Sequence, residues 1–141
     1  MKHAVETLSV PGTDSGVRQA ILAFERFGRC HGVPDGTEWR VKLALDEILS
    51  NIVHHGTPDA CAAIDLTFSI VDNVAAVEIV DASGPFNPLL APPPDTISAL
   101  RERQPGGLGI ELVRKLMDDT SYERRDNHNH FVMRCGPHAD R

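Results

Sequence analysis

The sequence of 141 residues lacks any apolar run of the roughly 20 residues that a membrane-spanning helix needs. Its opening residues, MKHAVETLSVPG, contain no apolar segment typical of a secretory signal. Cysteine is scarce: Cys30, Cys61 and Cys135 are an odd number at wide spacings, which gives no disulfide framework. These absences predict a protein of the reducing cytoplasm that has no membrane association.

Positive charge is also in deficit, because the formal net charge is −6. That balance argues against nucleic acid or an anionic membrane surface as the main partner. Internal repeats and long low-complexity tracts are missing too, and the short Pro-rich segment at residues 87–95 predicts a loop. With 41% hydrophobic and 24% charged residues, the composition predicts a single globular domain over residues 1–141.

Hydrophobic periodicity predicts elements in the order β-α-α-β-β-α-α-β-β. HAVETLSV predicts a strand, and TDSGVRQAILAFERFGRC and TEWRVKLALDEILSNIVHHG predict helices. Asp14 or Ser15 is the expected N-cap of the first helix. In the second helix Trp39 belongs to a wide apolar stripe, and Gly56 stands where a left-handed C-cap is expected.

The remaining segments predict hairpins and two further helices. CAAIDLTFSIV and VAAVEIVDA alternate and are separated by Asp72-Asn73, a favourable hairpin turn. DTISALRER and GIELVRKLMDD predict helices, and TSYERRD and HFVMRC predict two last strands around a polar turn at residues 126–129. The pattern therefore predicts an α+β fold, a two-layer sandwich with a mixed, mostly antiparallel sheet and helices on one face.

The segment LDEILSNIVHHG spaces Glu47, Asn51 and His55 four residues apart, so they share one face of a helix. An amide oxygen is a hard ligand for a divalent cation, and a carboxylate one turn earlier can orient or deprotonate a nucleophile. The same spacing is frequent at the solvated edge of an amphipathic helix. The motif alone leaves both interpretations open.

In VEIVDASGPFNP, Asp81 ends a predicted strand and Gly84 and Phe86 follow. A carboxylate at this position can accept a hydrogen bond from an exocyclic amine, and a glycine lets a flat ring approach the backbone. An Asx-type turn that closes the strand, with Pro-Phe as local packing, explains the segment equally well.

The segment QPGGLGIELVRKLMDD places Gly106, Gly107 and Gly109 before a predicted helix. Helix N-termini carry unpaired N–H groups and the positive end of the dipole, which suits a phosphate. No Gly-Lys-Ser/Thr follows, so this is not a Walker A loop, and no strand leads into it, so it is not a dinucleotide fingerprint. A plain Gly-rich helix start is the alternative.

In this order, the three motifs resemble the GHKL (Bergerat-fold) ATP-binding family, and nearly the whole chain resembles the anti-sigma-factor serine/threonine kinases of bacterial stress and sporulation switches. The resemblance implies ATP and Mg²⁺ as cofactors and phosphorylation of a STAS-domain anti-anti-sigma protein. It also implies a sigma factor as second partner and a homodimer. A nucleotide-gated module that sequesters a partner without transferring phosphate is the alternative.

The resemblance also implies roles for individual residues. Glu47 matches the general base and Asn51 the Mg²⁺ ligand, while Asp81 matches the carboxylate that reads the adenine amino group. The Pro-rich loop through Arg103 would form an ATP lid, with Arg101 or Arg103 at a phosphate or in solvent. Further nucleotide contacts are expected at His55, Gly84, Phe86, Gly106, Gly107, Leu108, Gly109 and Asn129.

The histidines raise two other possible functions, a sensor histidine kinase and a zinc site, and the sequence disfavours both. His54 and His55 lie inside the predicted ATP-site helix rather than on a dimerisation hairpin, which disfavours a sensor histidine kinase. Near the end of the chain, DNHNH and CGPH offer zinc ligands, but their spacing fits no standard zinc pattern, and a solvated turn is expected. The zinc candidates are His128, His130, Cys135 and His138.

Overall fold

The computed structural model describes residues 3–56, 62–90 and 109–137. The elements in chain order are β1 (His3–Pro11), α1 (Asp14–His31), α2 (Asp35–His55), β2 (Ala63–Val71), β3 (Val74–Asp81), a short 3-10 helix (Pro88–Leu90), α3 (Gly109–Leu116), β4 (Asp119–Arg125) and β5 (His128–Cys135). The predicted helix DTISALRER lies outside the described residues. No helix in the described part of the chain is long and apolar enough to cross a membrane.

The five strands form a single sheet in the order β1-β2-β3-β5-β4, and every pairing in it is antiparallel. Side chains alternate between the two faces, so Phe68, Val77 and Phe131 are buried while Asp65 stays exposed. The predicted α+β fold is confirmed, with a fully antiparallel sheet among the described strands where a mixed one was allowed.

Three helices pack on the buried face of the sheet. Helix α2 lies between α1 and α3 and contacts both. Phe24 and Phe27 of α1 pack with Phe68 of β2, with ring centroids 5.2 to 6.0 Å apart. At the α1–α2 seam, Lys42 lies 3.1 Å from the Glu25 carboxylate, and this contact lowers the pKa of Glu25. Helix α2 is therefore held from both sides.

Two short turns set the register of the sheet. Asp72 and Asn73 have φ angles of 50° and 67°, which confirms the predicted turn between β2 and β3. Asp126 and Asn127 repeat this conformation, with φ angles of 54° and 63°. Because two residues suffice for the second turn, β5 begins at His128, and Asn129 lies inside the strand rather than in the predicted turn.

The helix ends differ from the sequence predictions. Thr13, rather than Asp14 or Ser15, is the N-cap of α1, and its Oγ1 accepts the Gly16 N–H at 3.1 Å. Gly56 follows α2 in extended backbone, with φ −70° and ψ 171°, so the predicted left-handed cap is wrong. Its N–H donates to the Ile52 carbonyl at 3.0 Å, which still closes the last turn.

Trp39 does not belong to the core, although it fitted the predicted apolar stripe. Its exposed fraction is 57%. The buried positions around it in α2 are Thr37, Arg40 and Val41, so the core-facing stripe runs on the other side of the helix. The hydrophobic periodicity correctly predicts the helix, but it wrongly predicts which side of its first turns faces the core.

The cysteines offer a test of this packing. Cys30 is exposed, whereas Cys135 is fully buried, and burial, assisted by Asp118 and opposed by Arg40, raises the pKa of its thiol. Because the thiolate is the reactive form, iodoacetamide at neutral pH should label Cys30 in the folded protein and leave Cys135 unlabelled until denaturant is added. Peptide mass mapping measures both sites, and equal labelling rates in the folded protein would contradict the packing.

Candidate functional site

Glu47, Asn51 and His55 lie on successive turns of α2, but their burial differs. Asn51 is only 1% exposed, and Glu47 is half-buried with its Oε2 atom inaccessible to solvent. His55 is the last residue of the helix and is exposed. The structure thus brings the first two side chains into the interior and leaves His55 at its rim.

The Asn51 amide ties α2 to the segment that follows β3. Its Nδ2 donates to the Pro88 carbonyl at 3.3 Å. In a planar amide this contact occupies the nitrogen, which leaves the oxygen as the atom that can bind a cation. The Pro88 contact could not be predicted from the sequence, because the two residues lie 37 positions apart in the chain.

Glu47 meets the first residue of α3. A Cβ atom at Gly109 would lie 1.9 Å from Glu47 Oε2 and 2.1 Å from its Cδ, so a side chain at this position would force the Glu47 carboxylate to move. Gly109 is buried, and α3 begins there. The glycine is therefore required by the close approach of a carboxylate to the helix start.

Gly109 is the residue of the glycine segment that lies within the described part of the chain. Helix α3 packs against α2 through its buried residues, Gly109 and Val113. The other predicted residues of this region lie outside the described residues, and their roles stay predictions. They are Arg101, Arg103, Gly106, Gly107 and Leu108.

Asp81 is the last residue of β3 and is 5% exposed. Its Oδ1 accepts hydrogen bonds from the Ser83 N–H at 3.1 Å, from the Ser83 hydroxyl and from Asn129 Nδ2 at 3.0 Å. The contact with the Ser83 N–H is the Asx-type turn that the sequence allowed. Within the described residues all of these donors converge on Oδ1, and Oδ2 is the carboxylate oxygen left for a ligand.

Asn129 of β5 lies directly opposite Asp81 in the sheet and is 2% exposed. Besides Asp81, its Nδ2 donates to the Gly84 carbonyl at 2.9 Å. Its Oδ1 accepts from the Phe86 N–H at 3.0 Å and from the Tyr122 hydroxyl at 2.5 Å. Both amide hydrogens and both oxygen lone pairs are thus engaged by the protein itself.

Two residues of β4 that the sequence motifs did not predict also reach this cluster. Tyr122 contacts Asn129, and Arg124 Nη1 donates to the Ser83 carbonyl at 2.6 Å. Both occupy alternate, half-buried positions of the strand. That alternation is visible in the sequence and could have marked them as facing inward, but it does not show which groups they contact.

A zinc site does not form from the histidines and cysteine of β5. His128 and His130 lie on the outer face of the strand, and Cys135 lies on the buried face, because neighbouring residues alternate. No cluster of metal-ligating side chains occurs among the described residues, and His138 lies outside them. The His128 and His130 rings pack edge to face beside the turn, with centroids 6.4 Å apart.

Contacts among the described residues therefore bring together parts of three motifs that lie far apart in the sequence, on an α+β fold, and Gly109 is the described part of the glycine motif. The pattern of the histidine kinase-like ATPase domain matches residues 10–135. The chain belongs to this family, so the resemblance to the GHKL ATP-binding proteins is confirmed. An ATPase domain implies that the protein binds ATP.

Two individual relatives agree with this assignment. The chain is 31% identical over 134 residues to the serine/threonine-protein kinase BtrW of Bordetella bronchiseptica, an alignment that covers 94% of each chain. Its fold is similar to the solved RsbU and RsbW domains of Rv1364c from Mycobacterium tuberculosis, with a TM-score of 0.66 and 12% identity. That alignment covers 94% of this chain and 32% of the solved one, so this chain spans about a third of it.

Substituting Gly109→Ala tests the contact between α3 and Glu47. The clashing atoms belong to the end of a flexible side chain, so the fold should survive while the carboxylate is displaced. We expect a melting temperature close to that of the wild type and a loss of ATP turnover on the order of a hundredfold, the cost of a misplaced catalytic group.

Gly36→Ala is the matched control, because a Cβ at Gly36 would make only an ordinary contact, 3.4 Å from Arg40. It should leave turnover unchanged and raise stability by roughly 0.4–1 kcal/mol. Wild-type turnover in Gly109→Ala would show that the Glu47 carboxylate does not need its present position.

Proposed function

We propose that the protein is an ATP-dependent serine/threonine kinase that phosphorylates a STAS-domain anti-anti-sigma protein and holds a sigma factor when that protein is phosphorylated. The observation that carries this proposal is the contact of the Glu47 carboxylate with the first residue of α3. It joins a candidate base to a candidate phosphate-binding helix. The name of the Bordetella relative, a serine/threonine-protein kinase, supports the same activity.

The adenine end of the site would be formed by the segment after β3. Asp81 would accept a hydrogen bond from the adenine amino group through Oδ2, since its described donors occupy Oδ1. Gly84 would lie beneath the ring, with Phe86 beside it. Asn129 would support this segment from behind, because its amide is engaged by Asp81, Gly84 and Phe86.

The phosphate end would be formed by the start of α3. Helix N-termini favour anions, and Gly109 lets the backbone approach closely. Gly106, Gly107 and Leu108 would extend this contact with the phosphates. His55, exposed at the end of α2, would add a further contact with the nucleotide. Asn51 would hold Mg²⁺ through its amide oxygen, and an oxygen donor suits this ion. When bound, the ion would supply positive charge that offsets the negative charge of the phosphate oxygens.

The transfer step follows from the position of Glu47. Its carboxylate would accept the proton of a serine or threonine hydroxyl on the partner protein while that oxygen attacks the γ-phosphorus. The bond to the β–γ bridging oxygen breaks, and ADP leaves. The new phosphate adds nearly two negative charges at the contact, which favours release of the substrate and leaves the kinase able to bind sigma. A homodimer and a cytoplasmic location remain part of this proposal.

Incubation with ATP, Mg²⁺ and the cognate STAS protein should add one phosphate to a serine or threonine of that protein. Glu47→Gln should slow the transfer by about 10²–10⁴-fold, the usual contribution of a general base. Asp46→Asn is the matched control, because Asp46 is the exposed neighbour on α2 and accepts a hydrogen bond from the Ser50 hydroxyl, away from Gly109. Intact mass spectrometry measures the transfer. A wild type that binds ATP and partner without transferring phosphate would establish the non-catalytic, nucleotide-gated module instead.

Asp81→Asn tests the adenine contact. ADP–Mg²⁺ at 100-fold excess over Kd should stabilise the wild type by about 2.7 kcal/mol, a melting shift on the order of 5–10 °C. The variant should lose most of this shift, because an amide in place of the carboxylate removes an acceptor and disturbs the bond to Asn129. Asp65→Asn, on the exposed face of β2, should retain it. Equal shifts in all three proteins would exclude Asp81 from nucleotide recognition.

A further inference from the structure

The edge strand β4 reaches the adenine end of the site through two side chains. Tyr122 donates its hydroxyl to Asn129 Oδ1 at 2.5 Å, and Arg124 donates to the Ser83 carbonyl at 2.6 Å. The Tyr122 contact reaches the neighbouring strand β5, and the Arg124 contact extends past β5 to the segment after β3, so the two side chains tie this segment and β5 to the edge strand. The proposed function gives neither residue a role.

The Tyr122 hydroxyl is one of four groups that together hold the Asn129 amide in its orientation, and the other three belong to Phe86, Asp81 and Gly84. The amide can occupy two orientations that exchange its nitrogen and oxygen. In the observed one, the oxygen meets two donors, Phe86 N–H and Tyr122 O–H, and the nitrogen meets two acceptors, on Asp81 and Gly84. The opposite orientation would bring oxygen against the Asp81 carboxylate and N–H against N–H, leaving buried groups unsatisfied.

The orientation of Asn129 in turn fixes the Asp81 carboxylate. Rotating that carboxylate would break the bonds that Oδ1 makes with Asn129 and with the N–H and hydroxyl of Ser83. Arg124 restrains Ser83 from the same strand through a charge-assisted bond to its carbonyl. Asp81 therefore presents Oδ2 in one direction, as a pure acceptor.

A pure acceptor in a fixed direction discriminates between purines. A 6-amino group donates to it, whereas a 6-oxo group would oppose oxygen to oxygen and leave both without a hydrogen bond. If the carboxylate could turn, this penalty would shrink, because a rotated or displaced group avoids the repulsion.

We propose that Tyr122, together with Arg124, is a positioning residue that sets the preference of the site for a 6-amino purine over a 6-oxo purine, acting through Asn129, Ser83 and Asp81. This inference rests on the proposed function, in which Asp81 reads the purine. It assigns the specificity to a strand that does not itself touch the nucleotide.

The experiment compares ADP with inosine diphosphate, which carries a 6-oxo group, by isothermal titration calorimetry with Mg²⁺. The wild type should bind ADP more tightly. Tyr122→Phe removes one oxygen only; ADP affinity should fall about tenfold and inosine diphosphate affinity by less than about twofold, the scale of one lost buried hydrogen bond. Arg124→Gln should lower the ADP preference in the same direction. Ser121→Ala, on the exposed face of β4, should keep the wild-type ratio.

The outcomes separate this inference from the function beneath it. Equal losses of affinity for both nucleotides in Tyr122→Phe and Arg124→Gln would mean a general structural role and overturn the inference. An unchanged ratio in both variants would overturn it as well. A wild type that binds neither nucleotide would refute the proposed function itself, and this result is read from the wild type alone. If Tyr122→Phe unfolds below the temperature of the titration, the ratio of ADP to inosine diphosphate affinity in Arg124→Gln tests the inference instead.

Discussion

The pairing of Asp81 with Asn129 is the interaction on which the rest of the site depends. It joins the end of β3 to β5, and both side chains are buried. Asn129 also holds the segment after β3 through Gly84 and Phe86. Further along this segment, the Pro88 carbonyl accepts a hydrogen bond from Asn51. Asn51 lies one helical turn beyond Glu47, and Glu47 meets Gly109. One line of contacts thus joins three motifs that the sequence keeps apart.

In the proposed function this arrangement couples the stability of the fold to recognition of the adenine ring. Asn129 satisfies four partners at once, and removing it would leave several buried polar groups unpaired, at about 1–3 kcal/mol for each. A simple loss of binding in an Asn129 variant would therefore not distinguish a nucleotide contact from damage to the fold. Substitutions that remove a single partner, such as the tyrosine hydroxyl, separate the two effects because the remaining bonds persist.

The sequence could predict the elements and the order of the motifs, because periodicity and turn chemistry are local. The 72–73 turn follows from residues that tolerate positive φ, and the strands follow from alternation. The polar run predicts a turn through Asn129, because such a run does not show which two of its residues form the turn. Trp39 was placed in the core because an apolar stripe does not reveal which side of it the sheet will cover. The contacts of Pro88 and Tyr122 depend on the tertiary fold alone.

The contact at Gly109 joins two requirements that usually oppose each other. A carboxylate is stabilised at the positive end of a helix, and so is a phosphate. In the proposed mechanism both are needed at the start of α3, although like charges repel. The absence of a side chain at Gly109 makes room for Glu47 against the helix backbone, and a cation held by Asn51 would offset the negative charge gathered there. In the proposed mechanism Glu47 and Asn51, on one face of α2, therefore act as a pair: the base would lie close to the phosphates because a cation ligand lies one turn away.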